Sequence, residues 1–308
     1  MTLINIVLPI FLVIGLGYAL RARRFLSEGV VASLSRLVFY VAAPSLLFRS
    51  TSRNTFNWDA HLLMLAAIAG ITILVAAAVY GIGYRHTPAR RGVLAQGCIR
   101  SNTVFIGLPL VLNAYGEFAL PLVSIVIAFM VVVENLLSVL LLTLPHQGSS
   151  SREAALWGRT LLRTLRNPLL IGCVGGLLCA ALHIPLPISI DRTLQLVGAT
   201  AAPLGLLCVG AALRFRQLRS EIPGAATAAG LRLIVHPALI FLALRALGMR
   251  GVELGVPILV MACPAAVTSY IMAREMDGDA AFASAIIIGT TVAALLTLPA
   301  WLALLGMN

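Results

Sequence analysis

Lysine is absent from this sequence, and charged residues of every kind are scarce. Of the 308 residues 11% are charged, and the 22 basic residues, all of them arginine, stand against 11 acidic ones. Hydrophobic residues make up 60% of the chain, whereas soluble domains contain roughly 45 to 50%. The composition therefore excludes a soluble globular domain and predicts a polytopic membrane protein.

Sequence motifs for several kinds of chemistry are also missing. The chain contains no HExxH, GxSxG or Walker motif and no GxGD-type intramembrane pair. Its five cysteines lie in apolar segments without metal-type spacing such as CxxC, so they are interpreted as small core residues. We therefore expect no catalytic residue, no metal site, no cofactor and no transport driven by ATP hydrolysis.

Apolar segments long enough to cross a membrane follow one another along the whole chain. A helix needs about 20 apolar residues to cross a hydrocarbon core about 30 Å thick. Ten such segments predict an all-α protein with ten transmembrane helices. They are placed at residues 3–20, 30–50, 60–83, 92–112, 119–143, 168–183, 193–213, 223–247, 254–274 and 281–305.

The arginines indicate how these spans are oriented. They lie in short loops without the interleaved aromatic residues of a nucleic-acid interface, so no nucleic-acid partner is expected. Fourteen fall in odd-numbered connections and five in even-numbered ones. By the positive-inside rule both termini then lie outside the cytoplasm, in a cell (inner) membrane. The remaining Arg36, Arg100 and Arg232 are expected to snorkel to the cytoplasmic surface.

The hydrophilic stretch 146–167 contains the chain midpoint and separates five predicted spans from five. It is predicted to be an amphipathic linker helix on the cytoplasmic surface. Because five is odd, the second half crosses the membrane in the opposite sense, so residues 1–145 and 168–308 would form an inverted repeat. Matching Ala-Ala-Pro motifs at 42–44 and 201–203 support this five-plus-five arrangement.

Polar, helix-breaking runs interrupt the fourth and ninth predicted spans. They extend over residues 101–109 and 262–269 and contain Pro109 and Pro264. Proline removes a backbone donor and clashes with the preceding turn. Broken backbone at membrane depth survives only when it is buried in protein or lines a watery cavity. We therefore predict that helices four and nine are broken and cross near the midplane.

The residues of the two runs are suited to binding an anion. A half-helix that begins beyond a break offers free N–H groups and a partial positive charge. Ser101, Asn102 and Thr103 from one break, and Thr268 and Ser269 from the other, would add hydrogen bonds to a carboxylate. The alternative is a pair of proline kinks whose hydroxyl groups bond back to their own helices.

Ionisable residues inside the spans are candidates for a coupling ion. Glu134, followed by Asn135, is the only acidic residue well inside a span. A charge at the bilayer centre costs roughly 2.5 to 3.5 kcal/mol, so Glu134 is interpreted as part of an ion or proton path, or else as a neutral group bonded across helices. His236 is either a proton carrier or a structural histidine. Arg100 could pair with substrate or with Glu134, but its position favours contact with lipid phosphate.

These motifs resemble those of the auxin efflux carrier family, whose bacterial members include malate and malonate permeases. The run from Ser101 to Leu110, the pair Tyr115-Gly116 and the triplet Ala262-Cys263-Pro264 are similar to the family's motifs. The similarity extends over essentially the whole chain.

The resemblance implies an inverted-repeat fold like that of bile-acid symporters and sodium/proton antiporters. It implies a scaffold domain from spans 1, 2, 6 and 7, and a transport domain from spans 3–5 and 8–10 that moves as an elevator. It also implies that Asn102, Pro109 and Pro264 frame a carboxylate site. The chain has Ser101 where plant members commonly have Pro, and it lacks their long central loop. Auxin transport and regulation by that loop are therefore not carried over.

The sequence thus predicts a secondary active transporter of a small organic anion, a mono- or dicarboxylate, with H⁺ or Na⁺ as candidate coupling ions. The expected partners are that anion, the lipid bilayer and a second copy of the chain in a homodimer. A cation antiporter of the sodium/proton type is the first alternative, although it usually needs acidic residues beside the breaks, where the sequence has none. A membrane-embedded enzyme or a receptor is the second.

Overall fold

The computed structural model describes residues 3–53, 58–144, 162, 166–213 and 221–307. Within these ranges the regular structure is helical, and the sole β pairing is an isolated bridge. The all-α class predicted from the sequence is confirmed for this part of the chain. The predicted linker helix at 146–167 lies, apart from residues 162, 166 and 167, outside the described residues.

The described residues form twelve longer helices and two short 3-10 helices, Gly83–Arg85 and Glu117–Ala119. In chain order the longer helices are α1 (Leu3–Ala22), α2 (Glu28–Ser52), α3 (Trp58–Ile82), α4 (Pro88–Ile99), α5 (Thr103–Tyr115), α6 (Leu120–Thr143), α7 (Pro168–Ala181), α8 (Ile188–Ala212), α9 (Ile222–Ala246), α10 (Gly251–Met261), α11 (Thr268–Glu275) and α12 (Ala280–Leu304). Seven of these, namely α1, α2, α3, α6, α8, α9 and α12, contain segments long and apolar enough to cross a membrane. Helices α5, α7 and α10 are shorter apolar helices.

Several helices begin at residues whose side chains satisfy free N–H groups. Ser27 accepts a hydrogen bond from the Val30 N–H at the start of α2, at 3.3 Å. The Asn167 side chain accepts from the Leu169 N–H at 2.9 Å, next to Pro168 in the first turn of α7. Asp279 accepts from the Phe282 N–H at 2.9 Å at the start of α12. These caps explain why the helices begin where they do.

Three helices contain a π-helical turn, and each turn ends two residues before a proline. The turns are Val38–Ala42 before Pro44, Thr103–Gly107 before Pro109 and Leu231–Val235 before Pro237. Proline cannot donate the next α-helical bond, and a local π turn is one way to satisfy the carbonyl groups it frees. The prediction that Pro109 breaks the fourth span is therefore wrong, because α5 continues through it. The interruption lies earlier, between α4 and α5.

Close backbone contacts through glycine join α1 to α8 and α2 to α7. A Cβ atom at Gly210 would lie 1.8 Å from the Ile14 carbonyl oxygen. A Cβ atom at Gly172 would lie 2.7 Å from the Pro44 carbonyl oxygen. Small residues at such contacts let membrane helices approach closely.

Further contacts connect the other helices to one another and to this group. Helix α3 contacts α4 and α6, α9 contacts α12, and α5 contacts α8. Large apolar side chains also remain exposed on the long helices, for example Leu196 at 74% and Leu296 at 80%. Such an apolar outer surface is suited to contact with lipid.

Candidate functional site

The segment between α4 and α5 lies antiparallel to the segment between α10 and α11. The Asn102 N–H donates to the Pro264 carbonyl oxygen at 2.9 Å, and the Ala266 N–H donates to the Arg100 carbonyl oxygen at 3.1 Å. An isolated antiparallel bridge therefore joins the two interruptions. Each segment satisfies backbone groups that the other leaves free, which allows non-helical backbone to exist inside the protein.

Side chains from neighbouring helices satisfy further groups of the two segments. A Glu134 carboxylate oxygen accepts from the Ser101 N–H at 3.2 Å, and the Thr290 hydroxyl accepts from the Ala265 N–H at 3.1 Å. The Ser101 hydroxyl donates to the Val260 carbonyl oxygen at 2.6 Å. An acidic residue therefore lies beside the first break in space, which corrects the expectation that none would.

A cavity of about 130 Å³ lies against this crossing. It is well below the roughly 300 to 1,000 Å³ of pockets that hold drug-sized ligands, so it suits a small molecule. Six of the ten residues predicted for substrate or ion binding line it, namely Ser101, Asn102, Thr103, Glu134, Asn135 and Thr268. The other four, which are Pro109, Pro264, Ser269 and His236, are not among its lining residues.

Asn102 provides an unused donor at the cavity. Asn102 is 3% exposed, and its side-chain amide nitrogen has no hydrogen-bond partner in the described structure. Asn102 precedes the first residue of α5, yet its side chain makes no capping bond to that helix. A buried donor without a partner costs about 1 to 3 kcal/mol. A bound ligand that accepts from this amide would recover that energy.

The first residues of α5 and α11, Thr103 and Thr268, also line the cavity. The first N–H groups of a helix have no partner within the helix and give its N-terminus a partial positive charge. Two helix N-termini therefore meet at the cavity from opposite halves of the chain. The sequence predicted that the first of these helices would start beyond Pro109, whereas in the structure it starts at Thr103.

Arg100 adds a full positive charge to the cavity wall. Its guanidinium group donates to the Ser138 hydroxyl and to the Thr268 hydroxyl, each at 3.3 Å, and contacts the Met272 sulfur at 2.9 Å. These partners belong to α6 and α11, so the side chain points into the protein. The expectation that Arg100 contacts lipid phosphate is therefore wrong.

Glu134 is a buried acidic residue at the crossing. The residue is 3% exposed and interacts electrostatically with both Arg100 and Arg232. Its neighbour Asn135 lines the same cavity. The described charged groups at the crossing are therefore two cations and one anion, and the excess is positive.

Arg232 and His236 form a polar pair behind the crossing. The expectation that Arg232 snorkels to the surface is wrong, because the residue is 0% exposed. Its guanidinium donates to Nδ1 of His236 at 2.7 Å, and Nε2 of His236 lies 3.1 Å from the Thr72 hydroxyl. Since a guanidinium has no acceptor, Nδ1 accepts and Nε2 carries the ring hydrogen. Both ring nitrogens of His236 are thus engaged by protein groups.

The other predicted residues have different surroundings. Pro264 contributes its carbonyl oxygen to the bridge, whereas Pro109 is buried inside α5. Ser269 is 2% exposed in the first turn of α11, and its hydroxyl has no partner in the described structure. Within the same ranges, no three His, Cys, Asp or Glu side chains stand together as a metal site would require.

Reasoning from the sequence missed several lining residues that come from distant segments, among them Phe39 and Asn167. Phe39 reaches the cavity from the π turn of α2, and Asn167 reaches it from the start of α7. The pair Asn167-Pro168 is a helix-start signal that the sequence displays. Nothing local, however, shows that this helix start faces the first break.

Comparison with known proteins gives a matching family and relatives that align with nearly the whole chain. A family model described as "Membrane transport protein" matches residues 2–302. An "Uncharacterized transporter" of Methanothermobacter thermautotrophicus is 27% identical over 298 residues, which cover 96% of this chain and 96% of the relative. A "Putative malonate transporter" of Rhizobium meliloti is 26% identical over 301 residues, which cover 95% and 92% respectively. The family description and both names are those of membrane transporters and not of enzymes.

Proposed function

The chain belongs to the membrane transport protein family, the auxin efflux carrier family that its motifs predicted, and we propose that it is a secondary active transporter of a small organic anion. The observation that carries the proposal is the unpartnered amide of Asn102, a residue that lines a small cavity together with Arg100. An amide donor and a guanidinium group are complementary to a carboxylate.

The charges around the cavity favour an anion over a cation. Arg100 and Arg232 together exceed the single negative charge that Glu134 contributes. Uncompensated charge is costly inside a membrane, so a bound carboxylate would lower the energy of the site. The N-termini of α5 and α11 act in the same direction.

The size of the cavity and the relatives favour a mono- or dicarboxylate of a few carbon atoms. A volume of about 130 Å³ leaves little room for a large apolar group. One relative carries malonate in its name. Malonate is therefore the first substrate to test, with other small mono- and dicarboxylates beside it.

We propose that the twelve helices form ten spans in an inverted repeat, with α4 and α5 as the fourth span and α10 and α11 as the ninth. The glycine contacts support this arrangement. Helices α1 and α8 would be spans one and seven, and α2 and α7 would be spans two and six. In an inverted repeat, span one corresponds to span six and span two to span seven, so the pair of spans one and seven corresponds to the pair of spans six and two. Both pairs pack closely through glycine.

In the proposed mechanism, spans 1, 2, 6 and 7 form a scaffold, and the remaining spans carry the substrate past it as an elevator. The cavity would face the cytoplasm in this state, because Asn167 lies at the predicted cytoplasmic end of the sixth span. Both termini would lie outside. The contact between α5 and α8 is then part of the sliding interface.

Glu134 is the proposed site of proton coupling. It lines the cavity and accepts a hydrogen bond from the Ser101 N–H. A change in its protonation would therefore change the charge and the hydrogen bonding at the substrate site. His236 is the second choice, since both of its ring nitrogens already have protein partners.

A cation antiporter remains the alternative, and the position of Glu134 beside the break is the observation in its favour. Two guanidinium groups interact with that same carboxylate. They would repel a cation from the cavity, and for this reason we place the anion transporter first.

Uptake of radiolabelled malonate and related carboxylates into proteoliposomes tests the proposed function. We expect saturable uptake by the wild type and its loss in Asn102→Ala. Asn113→Ala is the matched control, because Asn113 is an exposed asparagine of α5, the helix that begins directly after Asn102. Unchanged carboxylate uptake by a folded Asn102→Ala protein would contradict the assignment.

A further inference from the structure

Arg232 contacts the ends of both helices that stop at the crossing. Its Nε atom donates to the Cys263 carbonyl oxygen at 3.1 Å, just beyond α10. Its Nη1 atom lies 3.4 Å from the carbonyl oxygens of Cys98 and Ile99, the last two residues of α4. One side chain therefore supplies donors to the carbonyl ends of both broken spans.

These carbonyl groups would otherwise form a site for a cation. The last carbonyls of a helix have no partner within the helix and carry a partial negative charge, which a cation stabilises. In transporters built from broken helices, such helix ends and unwound carbonyls coordinate Na⁺. Here the guanidinium group of Arg232 contacts these carbonyl oxygens instead.

The guanidinium group is also buried and bonded to a second side chain. Arg232 is 0% exposed, and Nδ1 of His236 accepts from it at 2.7 Å. The Thr72 hydroxyl lies 3.1 Å from the other ring nitrogen of His236. The carboxyl group of Glu134 interacts with it electrostatically. The positive charge of Arg232 is therefore held at the crossing by protein groups in this structure.

We propose that Arg232 is a built-in cation that takes the place of a coupling Na⁺ at the crossing, so that substrate binding needs no metal cation. The inference rests on the proposed function and adds to it the residue that determines ion dependence. Removal of the side chain would leave three carbonyl oxygens, from Cys98, Ile99 and Cys263, that a small monovalent cation could contact.

Carboxylate uptake by the wild type and by Arg232→Ala, measured in NaCl and in choline chloride, tests the proposal. We expect wild-type uptake to be the same in both salts. Arg232→Ala should fall by about tenfold or more in choline chloride, because hydrogen bonds from a charged donor are lost. NaCl or millimolar guanidinium chloride should restore it severalfold, whereas urea, a neutral molecule of similar shape, should not.

Arg232→Lys keeps a positive charge at the site but lacks the planar guanidinium group with its several N–H donors. We expect its uptake to stay independent of Na⁺ and to lie between those of the wild type and Arg232→Ala. Wild-type uptake that requires Na⁺ would overturn the proposal. Wild-type levels of uptake by a folded Arg232→Ala protein in choline chloride would also overturn it. The same holds if neither Na⁺ nor guanidinium restores uptake by that variant.

Thermal unfolding of the purified proteins separates this inference from the proposed function. If the wild type transports no carboxylate, the proposed function fails, but the cation site can still be measured. Guanidinium or Na⁺ should then raise the unfolding temperature of Arg232→Ala and leave that of the wild type unchanged. If Arg232→Ala folds only when purified in guanidinium chloride, the proposal is supported. Failure to fold with either cation counts against it.

Discussion

The backbone N–H of Asn102 donates to the carbonyl oxygen of Pro264 across 2.9 Å, and this bond joins the two halves of the chain at the candidate site. The backbone of Asn102 is therefore held, while its side-chain amide has no partner. A rigidly placed residue with a free donor is what a preorganised binding site requires. The position of the donor depends on both broken spans at once.

Replacement of Arg100 by Gln should weaken carboxylate binding by about tenfold or more, because a hydrogen bond from a charged donor is worth about 1.5 to 3 kcal/mol. The concentration for half-maximal uptake measures this effect. Arg36→Gln is the control, since Arg36 is exposed on α2. Equal apparent affinities in the two variants would show that Arg100 does not contribute to substrate binding.

Replacement of Glu134 by Gln should separate exchange from accumulation. The Gln side chain keeps an oxygen that accepts from the Ser101 N–H, so the break should retain its structure. It cannot bind and release a proton, so counterflow exchange should persist while accumulation driven by a pH gradient is lost. Glu117→Gln, at an exposed position before α6, is the control. Accumulation that survives in Glu134→Gln would assign proton coupling to another group.

A disulfide between α5 and α8 should stop transport if these helices slide past one another. A Cβ atom at Gly205 would lie 3.4 Å from Cα of Phe105, so cysteines at both positions are close enough to be linked. Oxidation of Phe105→Cys/Gly205→Cys should abolish uptake, and a reducing agent should restore it. The control pair is Leu46→Cys/Gly198→Cys, which joins α2 to α8 inside the proposed scaffold. Unimpaired uptake by the fully cross-linked first pair would exclude sliding at this interface.

Replacement of Gly210 by Ala should destabilise the protein by about 1 to 3 kcal/mol, as overpacking does. The new Cβ atom would lie 1.8 Å from the Ile14 carbonyl oxygen, so α1 and α8 would have to separate. Gly70→Ala in α3 is the control, because a Cβ atom there meets nothing within 4 Å. Alanine should favour that helix by up to about 1 kcal/mol. Thermal unfolding in detergent measures both changes, and equal stability of the two variants would contradict the close packing.

Composition and local chemistry were sufficient to predict the helical class and the interruption at Pro264. Proline lacks an N–H group and disfavours helix at the residue before it, which here is Cys263. The same argument failed at Pro109, because a π turn before the proline satisfies the backbone without a break. The first interruption has no proline of its own. It is stabilised by hydrogen bonds to distant residues, and these cannot be read from the local sequence.

Tertiary contacts also account for what the sequence missed at the site. Asn102, Thr103 and Thr268 were predicted because their polar side chains stand out in apolar segments. The inward direction of Arg100 and Arg232 could not be predicted, because an arginine near a helix end reaches the surface equally well. Their partners are carbonyl and hydroxyl groups on other helices, and only packing brings these within reach.

The π turn of α9 changes which residues share one side of the helix. Arg232, His236, Ile240 and Leu244 recur at every fourth residue, and all four are 0% exposed. In a regular α-helix each such step drifts by about 40°, so the row would turn about 120° away over its length. The extra residue in the turn Leu231–Val235 rotates the later part back by about 100°. The row therefore faces inward throughout, and the same insertion that accommodates Pro237 directs the buried arginine and the apolar residues beyond it towards a single interior.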